Sequence, residues 1–235
     1  MENALYEQAR FRICGDGALL VEYGEGVDRR VNEKVRAMAL LIDQRRPAGV
    51  THVVPAYRSL AVFYEPLAVA SEELQERLQR LEADLEKADI SPPKTVEIPV
   101  RYGGDAGPDL ETVAAHHGLT AEEVVRIHSA EAYHIYAIGF APGFCYLGGL
   151  DPRLHTPRLE TPRTRVPAGS VGIAEAQTGV YPSDSPGGWQ LIGRTPLKLF
   201  NPSRNPPILY GAGDRIRFIP ISASEYDRIA AQEAS

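Results

Sequence analysis

Cysteine is scarce. Cys14 and Cys145 are the only two, lie far apart and form no C-x-x-C, which argues against a disulfide framework or a cysteine-rich zinc site. Long apolar runs are missing too: no window approaches the roughly 20 residues needed to span a bilayer. The N-terminus, MENALYEQARFRI, lacks the basic-then-apolar pattern of a signal peptide. The expectation is a cytoplasmic protein with no membrane partner. The six histidines include no H-E-x-x-H or similar ligand spacing, so no metal site is expected. Ala168-Gly169-Ser170-Val171-Gly172 lacks the first glycine of a nucleophile elbow, and Ser170 reads as a turn residue.

An excess of positive charge is also missing. The net charge is −6 over 235 residues, but it is unevenly spread. Asp151 to Arg217 holds nine basic residues against five acidic ones, inside an otherwise acidic chain. A basic region of this kind suits a small anionic ligand or an acidic partner surface better than a nucleic-acid groove.

The first ninety residues read as α+β. Phe11–Cys14 and Ala18–Tyr23 are strands around a Gly15-Asp16-Gly17 turn. Asp28 is placed to cap a helix to about Arg46, with Val31, Val35, Met38 and Ile42 on one face, stopped by Pro47. Val50–Ala56 and Ser59–Tyr64 are further strands, and Ser71 opens a helix carrying Leu74, Leu78, Leu81 and Leu85. The order ββαββα predicts a ferredoxin-like sandwich over residues 1–92. Ser91-Pro92-Pro93-Lys94 breaks the chain into a second domain, 93–235.

That second half opens with a strand, Thr95–Tyr102. Two short helices follow: Asp109 is expected to cap the first, Gly118 to end it, and Thr120-x-x-Glu123 to form a capping box for the second. Eleven of the 19 prolines lie between Pro142 and Pro207, which demands short strands and tight loops closed into a barrel or sandwich. Gly188 to Thr195 matches P-loop spacing with Arg194 for lysine, but Pro196 and the alternating Leu197-Lys198-Leu199 leave no room for the helix that a P-loop opens.

The chemistry concentrates in Pro157–Phe200. Arg158, Arg163 and Arg194 each adjoin a proline or turn that fixes the backbone, so a bidentate grip on a carboxylate or phosphate loses less entropy. Gln177, Thr178, Tyr181 and Ser185 add neutral donors and acceptors, and Gly187-Gly188 lets main-chain N–H groups approach a ligand. Each arginine alone is equally compatible with bonding loop carbonyls; the cluster with its glycines favours an anion site. In the preceding run, Ile138 to Gly148, aromatics alternate with small residues as in core packing, and Cys145 reads as an inert thiol. His128 shares the face of Val124 and reads as a core histidine.

IGFAPGFCYLGGL, followed by PRLETPRTRVPAGSVGIAEAQTGVYPSDSPGGWQLIGRTPLKLF, closely resembles the family of the 5-oxoprolinase B subunit, or KipI family, also called allophanate hydrolase subunit 1 or carboxyltransferase subdomain C/D. The resemblance is dense over 128–220. It implies a ferredoxin-like N-terminal domain and a cyclophilin-like β-barrel. It also implies two partner proteins, a KipA-like C subunit and an A subunit. The three together convert 5-oxoproline to L-glutamate, using ATP with Mg²⁺ at the level of the complex. No biotin-attachment loop occurs in the chain. The words shared with the family, joined to the chemistry above, put Arg163, Arg194, Gln177 and Tyr181 forward as catalytic. Arg158, Ser185, Gly187, Gly188, Thr195 and His128 are put forward for substrate binding. Glu175 stands where the family commonly has glycine, and Asn201 where it commonly has aspartate. The resemblance leaves two other functions open: a KipI-like inhibitor of a sensor histidine kinase, or the carboxyltransferase part of a urea amidolyase-type biotin enzyme.

Overall fold

The computed structural model describes residues 5–234, and the chain divides between Pro92 and Pro93 into two compact units. The N-terminal unit contains β1 (Leu5–Ile13), β2 (Ala18–Gly24), α1 (Arg29–Arg45), β3 (Val50–Pro55), β4 (Ser59–Tyr64) and α2 (Ser71–Glu82). Its strands form one antiparallel sheet in the order β1-β2-β4-β3. Alternation along β2 and β4 sends Leu19, Val21, Leu60 and Val62 to the face that meets Val31, Val35 and Met38 of α1 and Leu74 and Leu78 of α2. The Asp28 side chain caps α1 through the Arg30 N–H at 2.8 Å. The helix ends when Arg46 turns left-handed, one residue before the proline. The second helix stops at Glu82, and Leu85 falls in a separate 3₁₀ turn rather than on the helix that the leucine spacing suggests.

The C-terminal unit begins with β5 (Thr95–Tyr102), α3 (Leu110–His117) and α4 (Ala121–Ala130). Next come β6 (Tyr133–Ile138), β7 (Cys145–Gly148), β8 (Arg163–Val166), β9 (Ser170–Ala174) and β10 (Gln177–Val180). The chain then continues through β11 (Ser185–Gly187), β12 (Gln190–Arg194) and β13 (Arg215–Pro220) to α5 (Ala223–Ala234). Seven strands form a sheet in the order β10-β9-β12-β5-β13-β6-β7. Its two edge strands, β10 and β7, lie against each other, so the sheet curls into a nearly closed barrel, consistent with a cyclophilin-like fold. Curling hides both edges, which is how so many short strands avoid exposed pairing groups. The barrel is filled by Val100, Ile135, Leu147, Ile173 and Phe218, and α4 adds Val124 and Ile127. Strands β8 and β11 pair separately as a short ribbon.

Local signals mark the helix ends here as well. Gly118, at φ 65°, closes α3, and Thr120 and Glu123 form the capping box of α4. Asp109 departs from expectation. It precedes α3, but its side chain makes no cap bond; it turns instead to the Leu191 N–H and to Arg163. A charged acceptor that can reach both a buried N–H and a guanidinium gains more there than at a helix end. The P-loop-like run forms β12 and opens no helix. Among the described residues, no helix is long and apolar enough to cross a membrane.

Candidate functional site

Trp189 organises the site. Gly172 and Gly179 face each other across β9 and β10, and a Cβ on either would stand 3.1 Å from Trp189. The two facing glycines therefore make room for the Trp189 side chain, Gly172 at its Cβ and Gly179 at its indole. Phe144 and Tyr181 meet it edge-to-face at 6.0 Å each, and Tyr146 joins through Phe144 at 5.1 Å. These rings wall a cleft of about 290 Å³, completed by Phe140, Arg158, Gln177 and the backbone from Pro186 to Gly188. Gly187 is obligatory here, because a Cβ would come within 2.5 Å of the Tyr181 hydroxyl. Burial raises the Tyr181 pKa above its ordinary value, against smaller opposing effects of the Trp189 backbone, Arg158 and Arg163. The hydroxyl therefore stays protonated at neutral pH, a donor at the cleft wall.

The three arginines separate. Arg158 lines the cleft, exposed, and makes no ion pair among the described residues. Arg163 does not reach the cleft. Its Nη2 donates to both carboxylate oxygens of Asp109 at 2.7 and 2.9 Å, and its Nη1 donates to the Trp189 carbonyl at 3.3 Å. The same carboxylate accepts the Leu191 N–H at 2.6 Å. Arg163 sits opposite Gly187 across the β8–β11 ribbon, so this pair ties the ribbon and the Trp189 backbone to the start of α3. Arg194 donates its Nε–H to the Ala168 carbonyl at 2.9 Å and supports the turn before β9. Sequence reasoning missed Asp109 because its position beside a helix start already explained it.

Of the remaining candidates, Gln177, Gly187 and Gly188 come to the cleft with Arg158 and Tyr181. Ser185 pairs with Val166 in the ribbon. Thr195 is buried, and its Oγ1 accepts the Leu197 N–H at 3.3 Å. His128 lies inside the barrel, stacked on Phe218 at 4.6 Å. Thr178 Oγ1 donates to the Gly172 carbonyl at 3.0 Å and so accepts from His128 Nε2–H at 2.8 Å; His128 Nδ1 then accepts from the Tyr102 hydroxyl at 2.7 Å. Burial holds this imidazole neutral, its pKa lowered to about 3. Cys145 is fully buried, and its thiol is pushed up to about 12 by the loss of hydration. Glu175 takes a left-handed φ of 51° at the β9–β10 turn, a conformation that favours glycine.

Residues 9–210 match the carboxyltransferase domain family, subdomain C and D. The chain is 45% identical over 226 residues to the B subunit of 5-oxoprolinase from Bacillus subtilis (strain 168), covering 90% of this chain and 92% of that one. Among solved structures it is similar to TTHA0988, with a TM-score of 0.77 and 37% identity over 88% of this chain. It spans 40% of that longer chain. The K. lactis urea amidolyase matches 96% of this chain and 15% of its own with a TM-score of 0.76 at 20% identity, a likeness of fold.

Proposed function

This chain belongs to the carboxyltransferase subdomain C and D family and, within it, to the 5-oxoprolinase B subunits; from that premise we propose that it is the B subunit of an ATP-dependent complex that opens 5-oxo-L-proline to L-glutamate. The observation that carries this reading is Arg158, a cation at an aromatic-walled cleft with no acidic partner among the described residues. 5-Oxoproline is a small lactam bearing one carboxylate. Its charge suits the guanidinium, its ring suits the aromatic wall, and its amide suits Tyr181, Gln177 and the Gly187–Gly188 backbone. Arg163 acts at one remove, holding the Trp189 backbone of the cleft in place, and Arg194 supports the turn before β9. His128 and Thr195 serve the barrel that carries it.

The donor set of the cleft does not fit Mg-ATP. No carboxylate lines it, and the described residues contain no cluster of three or more His, Cys, Asp or Glu able to hold a metal. We assign no nucleotide step to this chain. In this reading a KipA-like C subunit and an A subunit complete the enzyme, in the cytoplasm, and the N-terminal unit is a ferredoxin-like sandwich. Its order β1-β2-β4-β3 is the order that a βαββαβ sheet has when its last strand is counted first.

The test is 5-oxoproline-dependent ATP hydrolysis by the assembled complex with each component omitted in turn. Turnover should require this chain, and Arg158→Ala should raise KM for 5-oxoproline at least tenfold, in line with loss of a charge-assisted bond of about 1.5–3 kcal/mol. Full turnover without the chain sinks the proposal. An unchanged KM in Arg158→Ala removes Arg158 from it.

A further inference from the structure

The loop between β6 and β7 holds one aromatic residue in a conformation that its own chemistry disfavours. Phe140 has a φ of 67°, in the left-handed region where a Cβ crowds the following carbonyl. The Ala141 N–H reaches back to the Gly139 carbonyl at 2.8 Å, making Phe140 the centre of a γ-turn of the rarer, strained hand. The residue is 73% exposed. The rest of the loop is pinned: the Gly143 carbonyl accepts the buried Tyr210 hydroxyl at 2.7 Å, and the Gly139 N–H donates to the Phe144 carbonyl at 3.0 Å. Strain and exposure thus fall together on one residue, which glycine would replace at no steric cost to the backbone. The phenyl ring touches Phe144 edge-to-face at 5.5 Å and stands over the cleft. Neither burial nor loop geometry calls for a phenyl ring here, and strain kept at a cleft mouth points to a role there.

We propose that Phe140 is a specificity-determining residue of this cleft, its ring forming the outer wall over one face of a small cyclic carboxylate whose charge Arg158 takes. The proposal rests on the lactam reading of the cleft and extends it to discrimination. A five-membered lactam presents apolar ring edges to the phenyl group. L-Glutamate, its opened form, would have to press a second carboxylate and an ammonium group against the same apolar wall, at a desolvation cost. The ring therefore retains the lactam and rejects the opened amino acid.

Trp189, the only tryptophan in the chain, lines the cleft and reports its occupancy by fluorescence. The purified full chain is titrated with 5-oxo-L-proline and with L-glutamate, as wild type and as Phe140→Gly, Phe140→Leu and Phe140→Tyr. Phe140→Gly relieves the left-handed strain, so its Tm should not fall. Its affinity for 5-oxoproline should drop about five- to tenfold, the scale of one aromatic contact, while glutamate, freed of the apolar wall, should bind more tightly than to wild type. Phe140→Tyr should restore the preference and Phe140→Leu should fall between. A saturable wild-type response that Phe140→Gly leaves unaltered, or one weakened equally for both ligands, overturns the role of Phe140 while the lactam reading stands. Unaltered ligand affinity with weakened assembly of the complex does the same and assigns the ring to a partner. A wild-type chain giving no saturable response to 5-oxoproline overturns both.

Discussion

Replacing Asp109 with alanine tests whether the cleft is held by the pair that joins it to α3. The Asp109 side chain keeps 12% of its exposure and that of Arg163 29%, so both are largely withdrawn from water. Truncation leaves the Leu191 N–H buried without its acceptor, a loss of about 1–3 kcal/mol. It also strands the Arg163 cation. Breaking a buried pair costs about 3–5 kcal/mol, but the remaining exposure lets water recover part of that. A total near 4 kcal/mol follows, equivalent to a Tm drop of about 12 °C for a unit of this size. Arg163→Ala should cost less, about 2 kcal/mol, because Asp109 keeps the Leu191 N–H. The double variant should cost no more than Asp109→Ala alone, since no stranded charge remains. Thermal and urea unfolding followed by Trp189 fluorescence reads the C-terminal unit selectively, because the only tryptophan lies there. A Tm for Asp109→Ala within about 3 °C of wild type, or strictly additive costs in the double variant, would refute the reasoning.

Two other predictions concern titration. His128 is protonated near its ordinary value of 6.5 when unfolded but only near 3 when folded, so between those pH values the unfolded chain binds the extra proton. Its contribution to stability is complete above about pH 6.5 and is lost as pH falls toward 3, at up to about 1.4 kcal/mol per pH unit. Urea midpoints measured from pH 7 to pH 4 should fall, and His128→Gln should flatten the slope; a wild-type midpoint that does not change over that range contradicts the buried neutral imidazole. Cys14 is exposed and Cys145 buried, with the Cys145 thiol raised to about 12. A thiol reagent at pH 8 should modify Cys14 in the native chain and reach Cys145 only in denaturant, and rapid native modification of Cys145 would contradict its placement.

Much of the fold was legible because it is encoded by neighbours in sequence. The Asp28 cap, the Thr120–Glu123 box and the Gly118 stop each act within four residues. The alternation along β2 and β4 needs only an apolar face to turn inward. The decoy at Gly188–Thr195 could be dismissed on the same local grounds, since Pro196 forbids the helix. The inward face of α4 likewise places His128 beside Val124 on helical spacing alone.

Asp109 shows where local reading stops. It occupies a position that would suit a cap as well as Asp28 does, yet its acceptors serve Arg163 and Leu191, 54 and 82 residues away. The three arginines are equivalent in sequence, each beside a proline or turn. Their separation into one cation at the cleft with no ion pair among the described residues, one largely buried pair and one carbonyl donor depends on which strands meet. Composition and spacing established that this chain concentrates guanidinium, glycine and aromatic groups in one stretch, because residue type sets chemistry. Which of them face a ligand was decided by barrel closure, because only pairing between distant strands determines which side chains are drawn into the scaffold and which are left at the cleft.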